Sequence, residues 1–168
     1  MQRELPTRKN IRLSGYDYSA EGYYFITLCV KDKHEMLGKV VGDAPLRVPY
    51  CELSEHGIFV DDQIQKTNRV YPHVSIDKYI IMPNHIHMIF VIKDGTRGGA
   101  SPTKATLPQI VQSIKSMTTK QFGFNMWQRS YYDHIIRNEA DYLRIWQYID
   151  ENPARWAVDD YFVEPTAL

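Results

Sequence analysis

The sequence predicts an α+β fold, a ferredoxin-like (split βαβ) antiparallel sheet with helices on one face and a further C-terminal helix. Three observations carry that expectation. The run Tyr23–Val30 (YYFITLCV) is aromatic and β-branched, two apolar runs meet at Pro83-Asn84, and helical periodicities alternate with these extended segments. The resulting order is β, α, β, β, α, β, then a helix, which is the split βαβ pattern.

The elements follow in turn. Tyr23–Val30 comes after Glu21-Gly22 and reads as a buried strand. Glu35–Val41, followed by Gly42-Asp43-Ala44-Pro45 and Val48-Pro49-Tyr50, reads as a hairpin or an extended excursion with loops. Ser54 can cap a helix whose apolar positions Ile58, Val60 and Ile64 partly recur at helical spacing, and which ends before Tyr71-Pro72. Val74–Met82 and His85–Ile92 read as two strands joined by a tight turn, because proline presets φ and asparagine tolerates the second corner. Asp94–Thr103, rich in glycine, reads as a flexible linker. Leu107, Ile110, Val111, Ile114 and Met117 form one stripe of an amphipathic helix. Met126–Ile136 is expected as the fourth sheet strand. Asn138 with Asp141 resembles a capping pair, and Tyr142, Ile145, Trp146 and Ile149 form the stripe of a last helix closed at Asn152-Pro153.

Length and composition set the bounds. A chain of 168 residues suffices for one domain with a substantial core, so a single domain over 1–168 is expected, ending in an acidic tail at 157–168. Two cysteines do not make a disulfide framework, and no basic start leads into a continuous apolar stretch, so a cytoplasmic protein is expected. The longest apolar runs, such as Met88–Ile92, fall far short of the roughly 20 residues of a membrane helix. The formal net charge is zero, which argues against binding nucleic acid through bulk charge alone. The charge is nonetheless polarised. Residues 1–12 carry Arg3, Arg8, Lys9 and Arg12 against Glu4; residues 101–137 carry Lys104, Lys115, Lys120, Arg129 and Arg137 against Asp133; residues 138–168 are predominantly acidic.

The stretch MPNHIHMIF (Met82–Phe90) supplies the first candidate chemistry. Side chains alternate faces along a strand, so His85 and His87 would share one face about 6.6 Å apart at the backbone, close enough for both rings to converge on an ion. By itself such a pair also fits histidines satisfied by hydrogen bonds. In YIDEN (Tyr148–Asn152) the phenol and the amide stand four residues apart on one helical face. A packed ring and a helix-ending asparagine explain those two equally well.

Taken together, MPNHIHMIF, MWQRSYYDHIIRNEADY and WQYIDENPARW, in that order, resemble the HUH-type single-tyrosine transposases, in the branch that includes the REP-associated tyrosine transposases. The similarity runs from about Tyr23 to Trp156 and is weaker over the excursion at 33–53. The resemblance implies that His85 and His87 are the HUH metal pair, that Tyr148 is the nucleophile and that Asn152 completes the metal ligands where many relatives carry Gln. It implies an enzyme that cuts and rejoins single-stranded DNA beside a hairpin, through a 5′-phosphotyrosine, with Mg²⁺ or Mn²⁺ and without ATP. Lys115, Lys120, Arg129 and Arg137 are the expected DNA contacts, from the basic balance of their segment. In the place where the branch often carries Gly-Thr-Ser or Gly-Thr-Trp, this chain has Gly22-Tyr23-Tyr24. Monomer and homodimer, with the tyrosine acting in cis or in trans, are both open, as is service to the host rather than mobility.

Other readings make different demands. A ferredoxin-like sheet can bind nucleic acid without catalysis by stacking bases on exposed rings, with Tyr23, Phe25 and Phe90 as candidates, and would not need Tyr148. A two-histidine phosphodiesterase would carry paired H-x-[ST] motifs, which are absent from this sequence.

Overall fold

The computed structural model describes residues 15–42, 48–93 and 104–162. The expectations for the basic N-terminal stretch and for the linker at Asp94–Thr103 lie outside the described residues. Among the described residues, six strands and three α-helices follow one another as β1 (Gly22–Cys29), β2 (Gly38–Val41), β3 (Tyr50–Leu53), α1 (Glu55–Val70), β4 (Val74–Ile81), β5 (His85–Ile92), α2 (Leu107–Phe122), β6 (Tyr132–Ile136) and α3 (Glu139–Glu151). A 3-10 segment, Asn152–Val158, continues from α3.

The main sheet has the order β4-β5-β1-β6, and each neighbouring pair is antiparallel. This is the ferredoxin-like arrangement, with β1 and β5 central. Strands β2 and β3 form a separate two-stranded ribbon between β1 and α1. It packs closely on α1: a Cβ at Gly57 would stand 2.0 Å from the Leu37 carbonyl oxygen, so only glycine fits there.

The two sheet faces are covered differently. Even-numbered residues of β5, namely Ile86, Met88, Phe90 and Ile92, join Ile110, Val111 and Ile114 of α2 and Val60 and Ile64 of α1 in the larger core. On the opposite face, Phe25, Ile89 and Ile136 meet Ile145 and Ile149 of α3 in a smaller cluster. The helix is therefore held across the sheet by the stripe its spacing predicts. Burying one such isoleucine stabilises the fold by about 1.5–3 kcal/mol. Because β5 is covered on both sides, all eight of its residues are buried, His85 and His87 among them.

Helix ends are set by local chemistry. Ser54 accepts a hydrogen bond from the Gly57 amide and Asn138 one from the Asp141 amide, while Thr106 and Gln109 form a capping box. Gly123, at φ 78°, closes α2 in the left-handed conformation.

Two expectations need correction. The fourth sheet strand is shorter than Met126–Ile136: only Tyr132–Ile136 pairs continuously with β1, and Trp127 makes an isolated bridge with Val30. The buried Trp127 ring belongs to the larger core, and the chain leaves the sheet between these two contacts. Trp146 is not buried with the α3 stripe but lies 38% exposed, with Lys78 Nζ 3.8 Å from its ring centroid.

Candidate active site

Pairing of β1 with β5 puts Thr27 opposite His87 and Cys29 opposite His85, on the sheet face that α3 covers. Both imidazoles are enclosed, with ring centroids 4.5 Å apart. Thr27 Oγ1 lies 2.8 Å from His87 Nδ1, and the Tyr148 hydroxyl lies 3.2 Å from His87 Nε2. We assign Nδ1–H as the donor to Thr27, which leaves Nε2 to accept from the phenol. Phe25 stacks on the His87 ring at 5.3 Å and meets Tyr148 edge-on at 6.2 Å, fixing the two relative to the core.

His85 is oriented from the turn that precedes it. Asn84 is buried, and its Nδ2 donates to the carbonyls of Lys33 (3.1 Å) and Tyr161 (2.8 Å). Its Oδ1 lies 2.9 Å from His85 Nδ1. Since this oxygen can only accept, His85 carries its proton on Nδ1 and turns the lone pair of Nε2 inward.

Asn152 ends α3 one turn after Tyr148, in helical conformation, and is buried. Its Nδ2 donates to Asp159 Oδ2 at 3.2 Å, which directs Oδ1 the other way. His85 Nε2 and Asn152 Oδ1 are both buried without a hydrogen-bond partner. Asn152 is near enough to raise the proton affinity of His85, though its amide makes no hydrogen bond of normal geometry with Nε2.

The 3-10 segment turns the chain back and brings Asp159 to the histidines. Ligand atoms of His85, His87 and Asp159 all lie within 4.8 Å of one another. Two imidazole nitrogens, an amide oxygen and a carboxylate fit a divalent ion, and two of these atoms, His85 Nε2 and Asn152 Oδ1, are otherwise buried without compensation. Asp159 was not anticipated from the sequence, where the acidic tail at 157–168 reads as a surface or interface segment. Its neighbour Tyr161 covers the His85 ring at 4.4 Å, and Lys33 Nζ donates to the Asp160 carbonyl.

Electrostatics favour neutral histidines. Burial pushes His85 down to about 3, with Lys33 adding to the effect against Asn152, and burial followed by His85 holds His87 well below its ordinary value. The Tyr148 phenol is raised, chiefly by burial and by Asp159, with Asn152 opposing. A protonated phenol facing an imidazole lone pair is the result.

Tyr148 is 37% exposed and opens on a cleft of about 540 Å³. Thr27, His87, Tyr132, His134, Arg144 and Arg155 also line it. The remaining expected residues lie apart from it. Lys120 and Arg129 line a groove beside α2, and Arg137 lines another beside Tyr23 and Tyr142. Lys115 cannot serve as a free phosphate contact: it is 8% exposed, and Nζ donates to the carbonyls of Gln128 (2.8 Å) and Ser130 (3.3 Å), holding the segment before β6. The tyrosine and the histidines come together within one chain.

No family model matches the chain. It is 34% identical, over 94% of either sequence, to an uncharacterized protein of Haemophilus influenzae. It is also 26% identical to the REP-associated tyrosine transposase of Escherichia coli, across 82% of this chain and 70% of that protein. The chain is thus similar in sequence to REP-associated tyrosine transposases. A solved REP-associated tyrosine transposase, bound to a REP hairpin, superposes with a TM-score of 0.62 at 22% identity, covering 86% of this chain and 73% of the other. That likeness shows a shared fold, and the sequence similarity to the transposases supports a transposase-like, DNA-processing role. Among the described residues no helix is long and apolar enough to cross a membrane.

Proposed function

We propose that the protein nicks and rejoins single-stranded DNA beside a hairpin, by metal-dependent transesterification through a 5′-phosphotyrosine on Tyr148. The observation that carries the reading is the meeting of the Tyr148 hydroxyl with His87 Nε2 at 3.2 Å, next to two buried polar atoms without partners. A site for packing alone has no use for that arrangement.

His85 and His87 would hold Mg²⁺ or Mn²⁺ together with Asn152, and Asp159 adds a carboxylate to that set. When bound, the ion supplies Lewis-acid polarisation of a phosphate and stabilises developing oxygen charge. The chain's own residues do the rest. Asn84 and Thr27 fix the imidazoles, and α3 aims the phenol into the cleft. One lone pair on His87 cannot serve both an ion and the phenolic proton, so with Nε2 engaged as a ligand the Tyr148 hydroxyl would be free to face the substrate in the cleft. Its oxygen attacks phosphorus, the bond from phosphorus to the 3′-oxygen breaks, and the phenolic proton passes through cleft water to the departing oxygen, so that protons balance. Attack by another 3′-hydroxyl then reverses the exchange and frees tyrosine, with one phosphodiester always conserved.

Lys120, Arg129 and Arg137 are the proposed contacts for the hairpin, outside the cleft. The reading is tested with single-stranded DNA from the region flanking the protein's own gene, including the hairpin, in Mn²⁺. A DNA-linked peptide containing Tyr148, whose formation EDTA prevents, is expected. A cleaved product with no covalent peptide would assign the protein to hydrolysis instead.

A further inference from the structure

We propose that Arg144 and Arg155 grip backbone phosphates of the substrate strand on either side of the bond that Tyr148 attacks. This rests on the reading of Tyr148 as nucleophile and extends it to how the strand is held. Both arginines come from the segment whose net charge is negative, where sequence composition gives no hint of a phosphate site.

Arg144 stands four residues before Tyr148 and Arg155 seven after it. Arg144 is one turn before Tyr148 on α3, Arg155 lies in the 3-10 segment that follows, and all three side chains line one cleft with His87. The two arginines therefore flank Tyr148 in the chain, Arg144 about 6 Å before it along the axis of α3 and Arg155 on the segment after it.

Each guanidinium is tethered. Arg144 donates to Asp141 at 2.6 Å and Arg155 pairs with Glu151 at 2.6 Å. Asp141 is shared, since its other oxygen meets His134 Nε2 at 2.7 Å, and His134 lines the same cleft. A single carboxylate contact uses one or two of the five donors on a guanidinium. With side chains 70% and 64% exposed, the remaining donors face the cleft water. The geometry suits bidentate capture of phosphate, for which arginine's planar fork is matched.

Solvated i,i+3 and i,i+4 pairs on a helix surface are the ordinary alternative, and such pairs contribute little to stability. The cleft's own charge argues against that being all. Glu151 and Asp160 line it too, so a phosphodiester entering toward Tyr148 meets repulsion unless the arginines counter it. By contrast Asp150, also on α3, pairs with Lys78, and neither lines this cleft.

The test compares Arg144→Gln, Arg155→Gln and the double variant with Lys66→Gln, which removes an exposed charge on α1 paired with Asp62. Binding of a single-stranded oligonucleotide spanning the cleavage site is measured in EDTA across salt concentrations. Each arginine variant should flatten the slope of log K against log salt by about 0.7, and the double by about twice that, while Lys66→Gln leaves it unchanged. A neutral methylphosphonate is then walked through the phosphates flanking the site. At the contacted position the penalty of each Arg→Gln change should vanish, as a double-mutant cycle requires. Single-turnover adduct formation in Mn²⁺ should fall at least tenfold in the double variant. Unchanged slopes, or penalties that persist with every methylphosphonate, overturn the clamp. If the wild type forms the Tyr148 adduct while the slopes do not move, the clamp alone fails. If no adduct forms but the slopes and the methylphosphonate cycle behave as stated, the strand grip holds and the nucleophile assignment fails.

Discussion

Asn84 Oδ1 and His85 Nδ1 stand 2.9 Å apart, in a hydrogen bond for which only the histidine can be the donor. Both amide hydrogens of Asn84 are already directed at the carbonyls of Lys33 and Tyr161, so the side chain cannot flip without losing three contacts. One turn residue thus sets the tautomer of the first histidine and ties the C-terminal segment over it. Asn84→Asp keeps an acceptor but loses the two donations; Asn84→Ala loses everything. Loss of such an outer partner costs about 10–100-fold in metal affinity. Isothermal titration with Mn²⁺ should show that loss in Asn84→Ala, and an unaltered affinity would remove Asn84 from the site.

The depressed histidines predict a pH dependence of stability in the metal-free protein. For a base whose folded pKa lies below its unfolded value, the folded state binds fewer protons between the two. The stabilisation is complete above about 6.5 and is lost as pH falls toward the folded value, about 3 for His85. Each histidine can contribute a slope of up to about 1.4 kcal/mol per pH unit over that window. Urea unfolding in EDTA from pH 7 to pH 4 should show stability falling, and His85→Gln should remove one such increment. Parallel curves for wild type and variant would contradict the burial of a neutral imidazole.

Packing under the tyrosine helix carries its own expectation. Ile149 is wholly buried against Phe25, Ile89 and Ile136, immediately after Tyr148 in sequence. Ile149→Ala should destabilise the protein by about 2–4 kcal/mol, from lost transfer energy and the cavity left behind. Because the same contacts aim the phenol, adduct formation should slow even at temperatures where the variant remains folded by circular dichroism. A stability loss without slower chemistry would mean that α3 is placed by other contacts.

The groove beside α2 bears on hairpin recognition. Lys120 and Arg129 line it, with Lys115 occupied by backbone carbonyls. Lys120→Gln combined with Arg129→Gln should weaken binding of a hairpin-bearing oligonucleotide and flatten its salt dependence, while binding of the same strand without the hairpin is spared. Equal losses for both oligonucleotides would count against this assignment.

Much of this architecture was legible in the sequence because it depends on local pattern. Period-two alternation places His85 and His87 on one face, and the caps at Ser54 and Asn138 act within three residues of themselves. The stripe of α2 was readable for the same reason: Ile110, Val111 and Ile114 sit on one side of a regular helix. What escaped depends on distant parts of the chain meeting. Asp159 reaches the histidines only because the chain continues beyond Pro153 as a 3-10 segment and folds back. Asn84 carries the usual signature of a turn, and nothing local reveals that Lys33 and Tyr161 will bury it. Lys115 looked like surface charge, yet the segment before β6 supplies carbonyls that draw it inward. Arg144 and Arg155 were masked by their acidic neighbours, since averaged charge hides which side of a helix each residue occupies.

The central claim is that the Tyr148 oxygen, 3.2 Å from His87 Nε2 in this structure, forms the covalent bond to DNA. The direct measurement is adduct formation by Tyr148→Phe on single-stranded DNA in Mn²⁺, with binding to the same DNA measured in parallel. The substitution removes the hydroxyl and keeps the ring against Phe25. The account predicts wild-type binding and folding with no covalent protein–DNA species and no cleavage. A Phe variant that forms the adduct at the wild-type rate would contradict it and place the nucleophile elsewhere.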